Sequence, residues 1–427
     1  MQELTIESSN NQSLSLENKK EIITKLTDDL SDKIEKIILL PPDSTRKHSG
    51  IGKLTELLYF ALQKKNKEVD IMPALGTHSA MDKEQLQAMF GSKIPLDRFI
   101  VHNWREDPVK IGIIPEEFVK DVSENILKEE IEVKVNKRLV NGSYDLIISL
   151  GQVIPHAVIG MSNYSKNIFV GCGGPDMINK THFLGGAYGL EKLLGEDHSP
   201  VRKLFDYAEE NLIKDLPLIY LFTTNSLEIN KKTGETDMIG IFIGRKREVF
   251  EKAVKSSQKH NITKVDQPLK KVVVYLEEKF KSTWLGNKAI YRTRKALADD
   301  SELIIIAPGL KEFGEDPAIN KLIKKYGYSG KEKILEAVNK NQDIQENLSA
   351  AGHLIRGSAD GRFKITYACR KLSQSEIENV NYNYLDLNKA MNKYQPDKLK
   401  YGYNKLDTGE EIFFIDNPTT GLWSYEG

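Results

Sequence analysis

Cysteine is nearly absent from this sequence: Cys172 and Cys369 are the only two among 427 residues. That scarcity excludes a disulfide framework and a multi-cysteine zinc site. Long apolar runs are missing too, and none approaches the roughly 18 residues a membrane helix needs. The chain does not open on a basic stretch followed by an apolar one, as a secretory leader would. Net charge is formally zero, with 61 basic against 61 acidic residues, so no surface built for a polyanion such as nucleic acid is expected. There is no His-Glu-x-x-His, no Cys-x-x-Cys and no clustered carboxylate set, which leaves any metal short of protein ligands. These absences describe a reduced, cytoplasmic protein with neither nucleic acid nor membrane as a partner.

What is present is the composition of an ordinary globular protein, 40% hydrophobic and 29% charged. The length exceeds one ordinary core and predicts two or three domains. Residues 1–16 are polar and read as a flexible arm. Apolar runs ending in turn residues predict buried strands at 37–40, 69–75, 99–102, 145–150, 167–170 and 218–222. Between them, 52–63 has helical spacing, and Asp82 is placed to cap the helix that follows it. After a polar stretch at 256–270 come strands 271–275, 303–307 and 363–367, with helices 319–326 and 331–338 between them. This alternation predicts α/β layers with largely parallel sheets. It divides the chain into an N-terminal domain, 17–262, and a C-terminal α/β domain, 263–427, with the active site in the crevice between them. The aromatic-rich tail from 396 onward is expected to pack back on a domain.

Chemistry concentrates where strands end. The strand at 37–40 leads to Asp43-Ser-Thr-Arg46, that at 69–75 to Gly-Thr-His78, and that at 145–150 to Pro155-His156. Loops beyond the carboxyl ends of parallel strands line sites, so Asp43, Arg46, His78 and His156 are expected in one crevice. Arg46 suits a carboxylate or phosphate, and Asp43 could orient a neighbouring imidazole or guanidinium; an Asp–Arg pair closing a turn is the plainer account. His78 reads equally as a surface histidine, and His156 as a general acid/base or a satisfied core residue. Lys166, in a turn of small and polar residues, is either a solvated charge or a desolvated nucleophile. His182 could ligate a metal only if something other than the protein supplied further ligands. The Gly171-Cys-Gly-Gly174 run matches no phosphate-loop spacing and only weakly suggests an anion nest. Arg292 and Lys295 are expected on one helix face, as an anion clamp or a solvated basic face.

Taken in order, Asp43 to Arg46, Gly76 to His78, Pro155-His156, Lys166, His182 and Tyr291 to Lys295 resemble the nickel-pincer lactate racemase family over most of the chain. The ordered spacing is far more specific than any one member of the set. The resemblance implies a nickel-pincer nucleotide, a nickel-bearing pyridinium-3,5-dithiocarboxylic-acid-derived mononucleotide, joined to a lysine through a thioamide. Lys166 matches that lysine, and His182 matches the histidine that completes the nickel plane. His78 and His156 match the acid/base pair. Arg46 and Lys295 match positions that hold the substrate carboxylate or cofactor phosphate, with Asp43 beside Arg46 and Tyr291 and Arg292 in the substrate-binding segment. The reaction implied is reversible hydride transfer from C2 of a 2-hydroxy acid, one histidine taking the hydroxyl proton and the other returning it. Cofactor-biosynthesis proteins are then partners.

Two departures bear on the substrate. Asn163-Tyr164-Ser165 stands where the family has Gly-Gly-Ala, and Arg292 stands where it usually has glutamine. Both enrich hydrogen bonding and charge, which favours a longer, polar hydroxy acid over lactate. The segment from Trp284 to Arg294 is similar to that of relatives thought to epimerise aldonates such as gluconate and mannonate. The alternatives are lactate racemase proper and a non-catalytic cofactor carrier or hydroxy-acid-binding protein. A magnesium-dependent dehydratase would need carboxylate ligands, and no such set stands at the strand ends.

Overall fold

The computed structural model describes residues 2–9, 12–230 and 233–426. The chain folds as two compact units, Met1–Lys180 with Gly195–Asn261, and Thr181–Leu194 with Ile262–Gly427. The expected stretch 17–262 is therefore not one unit, because Thr181–Leu194 groups with the C-terminal one. No helix among the described residues is long and apolar enough to cross a membrane.

The first unit contains β1 (Leu4–Glu7), β2 (Lys36–Leu40), β3 (Glu68–Ile71), β4 (Pro108–Ile114), β5 (Ile131–Asn136), β6 (Leu146–Gln152), β7 (Pro155–His156), β8 (Gly160–Met161), β9 (Leu218–Ile229) and β10 (Thr236–Gly244). Its main sheet runs β1-β10-β9-β6-β2-β3, with β9, β6, β2 and β3 parallel and β10 and β1 antiparallel at one edge. From β2 the chain moves outward to β3, then returns to place β6 on the other side of β2. That reversal is a topological switch point, where an open parallel sheet leaves a crevice beyond its carboxyl ends. The strands are near-continuous apolar runs because both faces are covered. On one face Leu39, Ile148 and Ile219 lie in register and pack with Ile51, Leu54, Leu58 and Leu62 of the helix Ile51–Lys64. Side-chain caps start neighbouring helices: Ser15 with Asn18, and Asp82 with Gln85, form reciprocal capping boxes.

The second unit contains β11 (Ile262–Lys264), β12 (Leu269–Tyr275), β13 (Leu297–Ile306), β14 (Phe363–Cys369), β15 (Asn383–Asp386), β16 (Gly402–Lys405), β17 (Glu411–Ile415) and β18 (Leu422–Ser424). Its sheet runs β15-β14-β13-β12-β17-β16, parallel except for β16. Here the switch point lies between β12 and β17. The C-terminal tail supplies β16 to β18 and is part of this unit's core.

Several expectations fail for identifiable reasons. Residues 4–7 of the expected arm form β1, whose backbone pairs with β10 although its side chains alternate with polar ones. Residues 99–102 form only a single bridge, Ile71 to Phe99, and the strand expected at 69–75 ends at Ile71. The apolar Ile168-Phe-Val170 lies in a π-helical turn, Asn167–Gly171, not in a strand. Periodicity cannot separate the two for so short a run. The polar stretch from 256 begins inside the helix Arg247–Asn261.

The column at the centre of the first sheet should carry this unit's stability. Ile148 is fully buried, so Ile148→Ala should cost about 2–5 kcal/mol, read as a lowered urea midpoint. A loss below about 1 kcal/mol would mean that the column is not the core.

Candidate active site

Beyond β2 the chain passes Pro41 and Pro42 into a short 3-10 turn, Ser44–Ser49, capped by Asp43. The Asp43 carboxylate is buried and fully engaged. Its Oδ1 accepts from the Thr45 backbone N–H at 3.1 Å and the Thr45 hydroxyl at 2.5 Å. Its Oδ2 meets His78 Nδ1 at 2.5 Å. The imidazole, not the Arg46 guanidinium, is therefore what Asp43 orients. With Nδ1 held by the carboxylate, His78 presents Nε2 as its working nitrogen, and the side chain remains 52% exposed. Burial raises the Asp43 carboxyl pKa, but the bonds from His78 and Thr45 outweigh it and leave the group below the usual carboxylate range. Arg46 sits in the same turn with its charge desolvated and Asp43 as the nearby opposing charge. No side-chain ion pair within 4.0 Å engages it among the described residues.

Beyond β6 the hairpin β7–β8 carries His156, whose Nδ1 accepts from the Val158 backbone N–H at 3.1 Å. In the neutral imidazole the proton is then on Nε2. The chain continues through Asn163 and Tyr164, both in left-handed backbone, with φ of 71° and 58°. Two such residues in succession are strained, and the surroundings hold them there. Arg202, fully buried on the helix Pro200–Leu212, donates to the carbonyls of Met161 at 2.7 Å and Asn163 at 3.2 Å. The Tyr164 ring stacks on Phe250, with centroids 5.2 Å apart. Gly151 makes room, since a Cβ there would lie 1.8 Å from the Asn163 amide nitrogen.

This turn delivers Lys166. Burial, then the charges of Arg46 and Arg202, lower its ammonium to a pKa of about 8, with Asp43 opposing. The next residue, Asn167, donates its side-chain amide to the Leu40 carbonyl at 3.0 Å and the Ser149 hydroxyl at 2.9 Å. It therefore bridges the ends of β2 and β6 at the switch point. The Gly171 to Gly174 run is explained by close packing: a Cβ on Gly173 would lie 1.8 Å from the Phe169 carbonyl oxygen, and one on Gly171 2.7 Å from Ala74 Cβ.

The remaining candidates belong to the second unit. His182 lies on the helix Pro175–Tyr188, and its carbonyl accepts from Arg356 Nη1 at 2.7 Å. Tyr291 is buried, its hydroxyl meeting His353 Nδ1 at 2.9 Å, while His353 Nε2 meets the Tyr328 hydroxyl at 3.0 Å. Burial pushes the Tyr291 phenol up to about 12. The expected Arg292–Lys295 helix face does not form, because the helix Lys288–Thr293 ends before Lys295. Arg292 donates instead to the Thr419 carbonyl at 3.2 Å, and Lys295 reaches the Leu194 carbonyl at 3.4 Å.

The structure brings Asp43, His78, Arg46 and Lys166 together at one sheet edge; the strand ends point to the first three together with His156, which lies on the β7–β8 hairpin with its bond to Val158. It adds Arg202, which the sequence did not single out. The Asp43 carboxylate beside Lys166 is occupied by an imidazole, and Asp197 and Asp206 act on Arg202. A pKa of about 8 leaves a larger fraction of this amine unprotonated near neutral pH than an ordinary lysine has. That fits an anionic group joined covalently to Lys166.

Residues 7–188 match the family described as the lactate racemase N-terminal domain. A protein from Thermotoga maritima is 24% identical, with a TM-score of 0.83 over 99% of this chain and 100% of that one. The lactate racemase apoprotein from Thermoanaerobacterium thermosaccharolyticum is 16% identical, with a TM-score of 0.70 over 96% of this chain and 93% of that one. At these identities the two structures establish a shared fold. None of the curated proteins matches the chain.

Two measurements check the electrostatics. Acylation of Lys166, followed by peptide mapping, should rise with an inflection near pH 8, against about 10.4 for an ordinary lysine; an inflection above 10 would refute the desolvated amine. Because the Asp43 pKa is lowered on folding, its stabilisation is present above its unfolded value of about 3.9 and is lost as pH falls through the folded value. Asp43→Asn should therefore flatten the acid limb of the stability profile below about pH 4. An unchanged limb would show that the pair contributes nothing.

Proposed function

We propose that this chain, a member of the lactate racemase-like family, is a racemase or 2-epimerase of a 2-hydroxy acid larger and more polar than lactate, an aldonate such as gluconate or mannonate. The observation that carries the reading is the grouping of an Asp-oriented histidine, an uncommitted arginine and a desolvated lysine at one switch point. Lys166 would hold a nickel-pincer nucleotide through its amine, His182 would ligate the nickel, and Arg46 and Lys295 would hold carboxylate or phosphate oxygens. Once bound, that cofactor supplies a reversible hydride acceptor.

The chain's own residues do the rest. Arg46 offers a planar, permanently charged fork for the substrate carboxylate, which fixes C2 and its hydroxyl relative to Lys166. His78 Nε2, its opposite nitrogen held by Asp43, is oriented to take or return the hydroxyl proton. His156, with Nδ1 occupied by the Val158 N–H, likewise works through Nε2. Two histidines serve a racemase because the two stereoisomers offer their hydroxyls to different sides.

The test is the protein co-expressed with cofactor-biosynthesis proteins and assayed on lactate, gluconate and mannonate labelled with deuterium at C2. Expected are aldonate epimerisation with the label retained and stoichiometric nickel. His78→Ala and His156→Ala should each lower kcat by about 10²–10⁴. Turnover of lactate alone would make it a lactate racemase, loss of label would exclude hydride return, and indifference to both histidine variants would favour a carrier.

A further inference from the structure

Two helices of the first unit leave a hollow between them. The helix Leu16–Asp28 lines it with Lys20, Ile23, Thr24 and Thr27, and the helix Ile51–Lys64 with Leu57, Phe60, Ala61 and Lys64. In each set the residues stand at i, i+3, i+4 and i+7, so each is one helical stripe about 10 Å long. Asp28 pairs with Lys65 at 2.6 Å, which puts the carboxyl ends of the two helices side by side. The stripes therefore run in the same direction, with Lys20 at one end of the hollow and Lys64 and Lys65 at the other.

The hollow is open because small side chains line its middle. Thr24, Thr27 and Ala61 stand where leucines would close the seam between the helices. Ile23 is 2% exposed and belongs to the core, whereas Leu57, Phe60 and Ala61 are only partly buried against it. The volume is about 530 Å³, within the range of roughly 300–1,000 Å³ found for small-molecule sites. The rim is cationic, with Lys93 added to the lysines of the two helices. Its two acids are turned elsewhere. Asp28 is paired with Lys65, and the Glu56 carboxylate lies against Gly91, where a Cβ would come within 2.5 Å of it. No ion pair within 4.0 Å engages Lys20, Lys64 or Lys93 among the described residues.

An apolar trough rimmed by ammonium groups suits an apolar chain that carries negative charge. A nucleotide or a sugar acid would bring hydroxyls against Ile23, Leu57 and Phe60 and find no partners on them. A protein partner is disfavoured, because a stable interface buries about 1,200–2,000 Å² and the groove is only two helical turns long. We propose that this hollow binds a long-chain carboxylate, with its chain along Ile23, Leu57 and Phe60 and its head group on a lysine. Lysines at both ends give the head group a partner whichever way the chain lies. The site shares no residue with the Lys166 cluster and does not depend on the activity proposed above.

The experiment is titration calorimetry of the whole protein with laurate, below its micelle-forming concentration. Expected are one laurate per chain, weaker binding of octanoate, and binding of dodecyltrimethylammonium weaker by about tenfold or more, since it carries the same chain with the opposite charge. Ala61→Phe, which fills the hollow, should weaken laurate by about tenfold or more. The combined charge reversal Lys20→Glu, Lys64→Glu and Lys93→Glu should do the same, and it alters only exposed side chains, which keeps folding intact. Arg46→Ala should leave laurate binding unchanged. Laurate affinity that survives both groove variants, or that is lost in Arg46→Ala, would overturn the site. So would equal affinity for the cationic amphiphile, or binding to vesicles of anionic phospholipid with none to monomeric laurate.

Discussion

The first unit depends on how the ends of β2 and β6 are held at the switch point. Two parallel strands whose continuations leave in opposite directions open a crevice there, and a crevice is useful only if its walls are fixed. Asn167 fixes them. One amide group donates to the last carbonyl of β2 and to the Ser149 hydroxyl of β6. Because Asn167 follows Lys166 directly, the residue that pins the sheet edge also places the amine. The π-helical turn that starts at Asn167 and the left-handed pair before Lys166 are local irregularities around this anchor. Irregular backbone of this kind persists only when its surroundings over-determine it, and the carbonyl bonds from Arg202 do that here.

The electrostatics follow from the same arrangement. Lys166 meets the charges of Arg46 and Arg202 against that of Asp43, and the Asp43 carboxylate has its oxygens committed to Thr45 and His78. Asp197 and Asp206 lie on the Arg202 side, and the acid that raises the lysine pKa is Asp43. The amine releases its proton more readily than an ordinary lysine, with a consequence opposite to that of a salt-bridged lysine. Stability increases as pH rises from about 8 toward the unfolded lysine value of about 10.4, because the unfolded chain binds the extra proton. Local stability is given up at a desolvated amine, a pattern expected of functional sites.

The sequence made much of this legible, and its failures have physical causes. Apolar runs closed by Pro41-Pro42 and by Pro155 identified β2 and β6, and the parallel-sheet rule then pointed Asp43, Arg46, His78 and His156 to one crevice; of these, Asp43 and Arg46 share a turn and His78 is hydrogen-bonded to Asp43. It could not say which partner Asp43 would choose, because a carboxylate at a turn serves an imidazole 35 residues away as readily as a guanidinium three away. Arg202 escaped notice because an arginine two residues after the Ser199-Pro200 helix start reads as solvated polar face; only the folded position of Phe250, whose ring lies 4.6 Å from the guanidinium, shows it buried. Arg292 and Lys295 were expected on one helical face. The helix ends at Thr293, and the two cations reach different carbonyls.

Histidine burial separates structure from chemistry in a way that spacing could not. His353 is 2% exposed, stacks on Trp284 at 4.2 Å and has both ring nitrogens on tyrosine hydroxyls. Burial and the neighbouring Arg356 hold it neutral, well below the usual histidine range. An imidazole so committed cannot exchange a proton with a ligand, but it does lock the Tyr291 side chain in place. His78 is the reverse case, with one nitrogen fixed by a carboxylate and the ring half exposed. The oriented and accessible imidazole is the one suited to proton transfer, and the doubly bonded one is suited to holding a neighbouring phenol. In this chain the first kind stands at the carboxyl edge of the first sheet, in the cluster that holds the Lys166 amine and the Arg46 guanidinium.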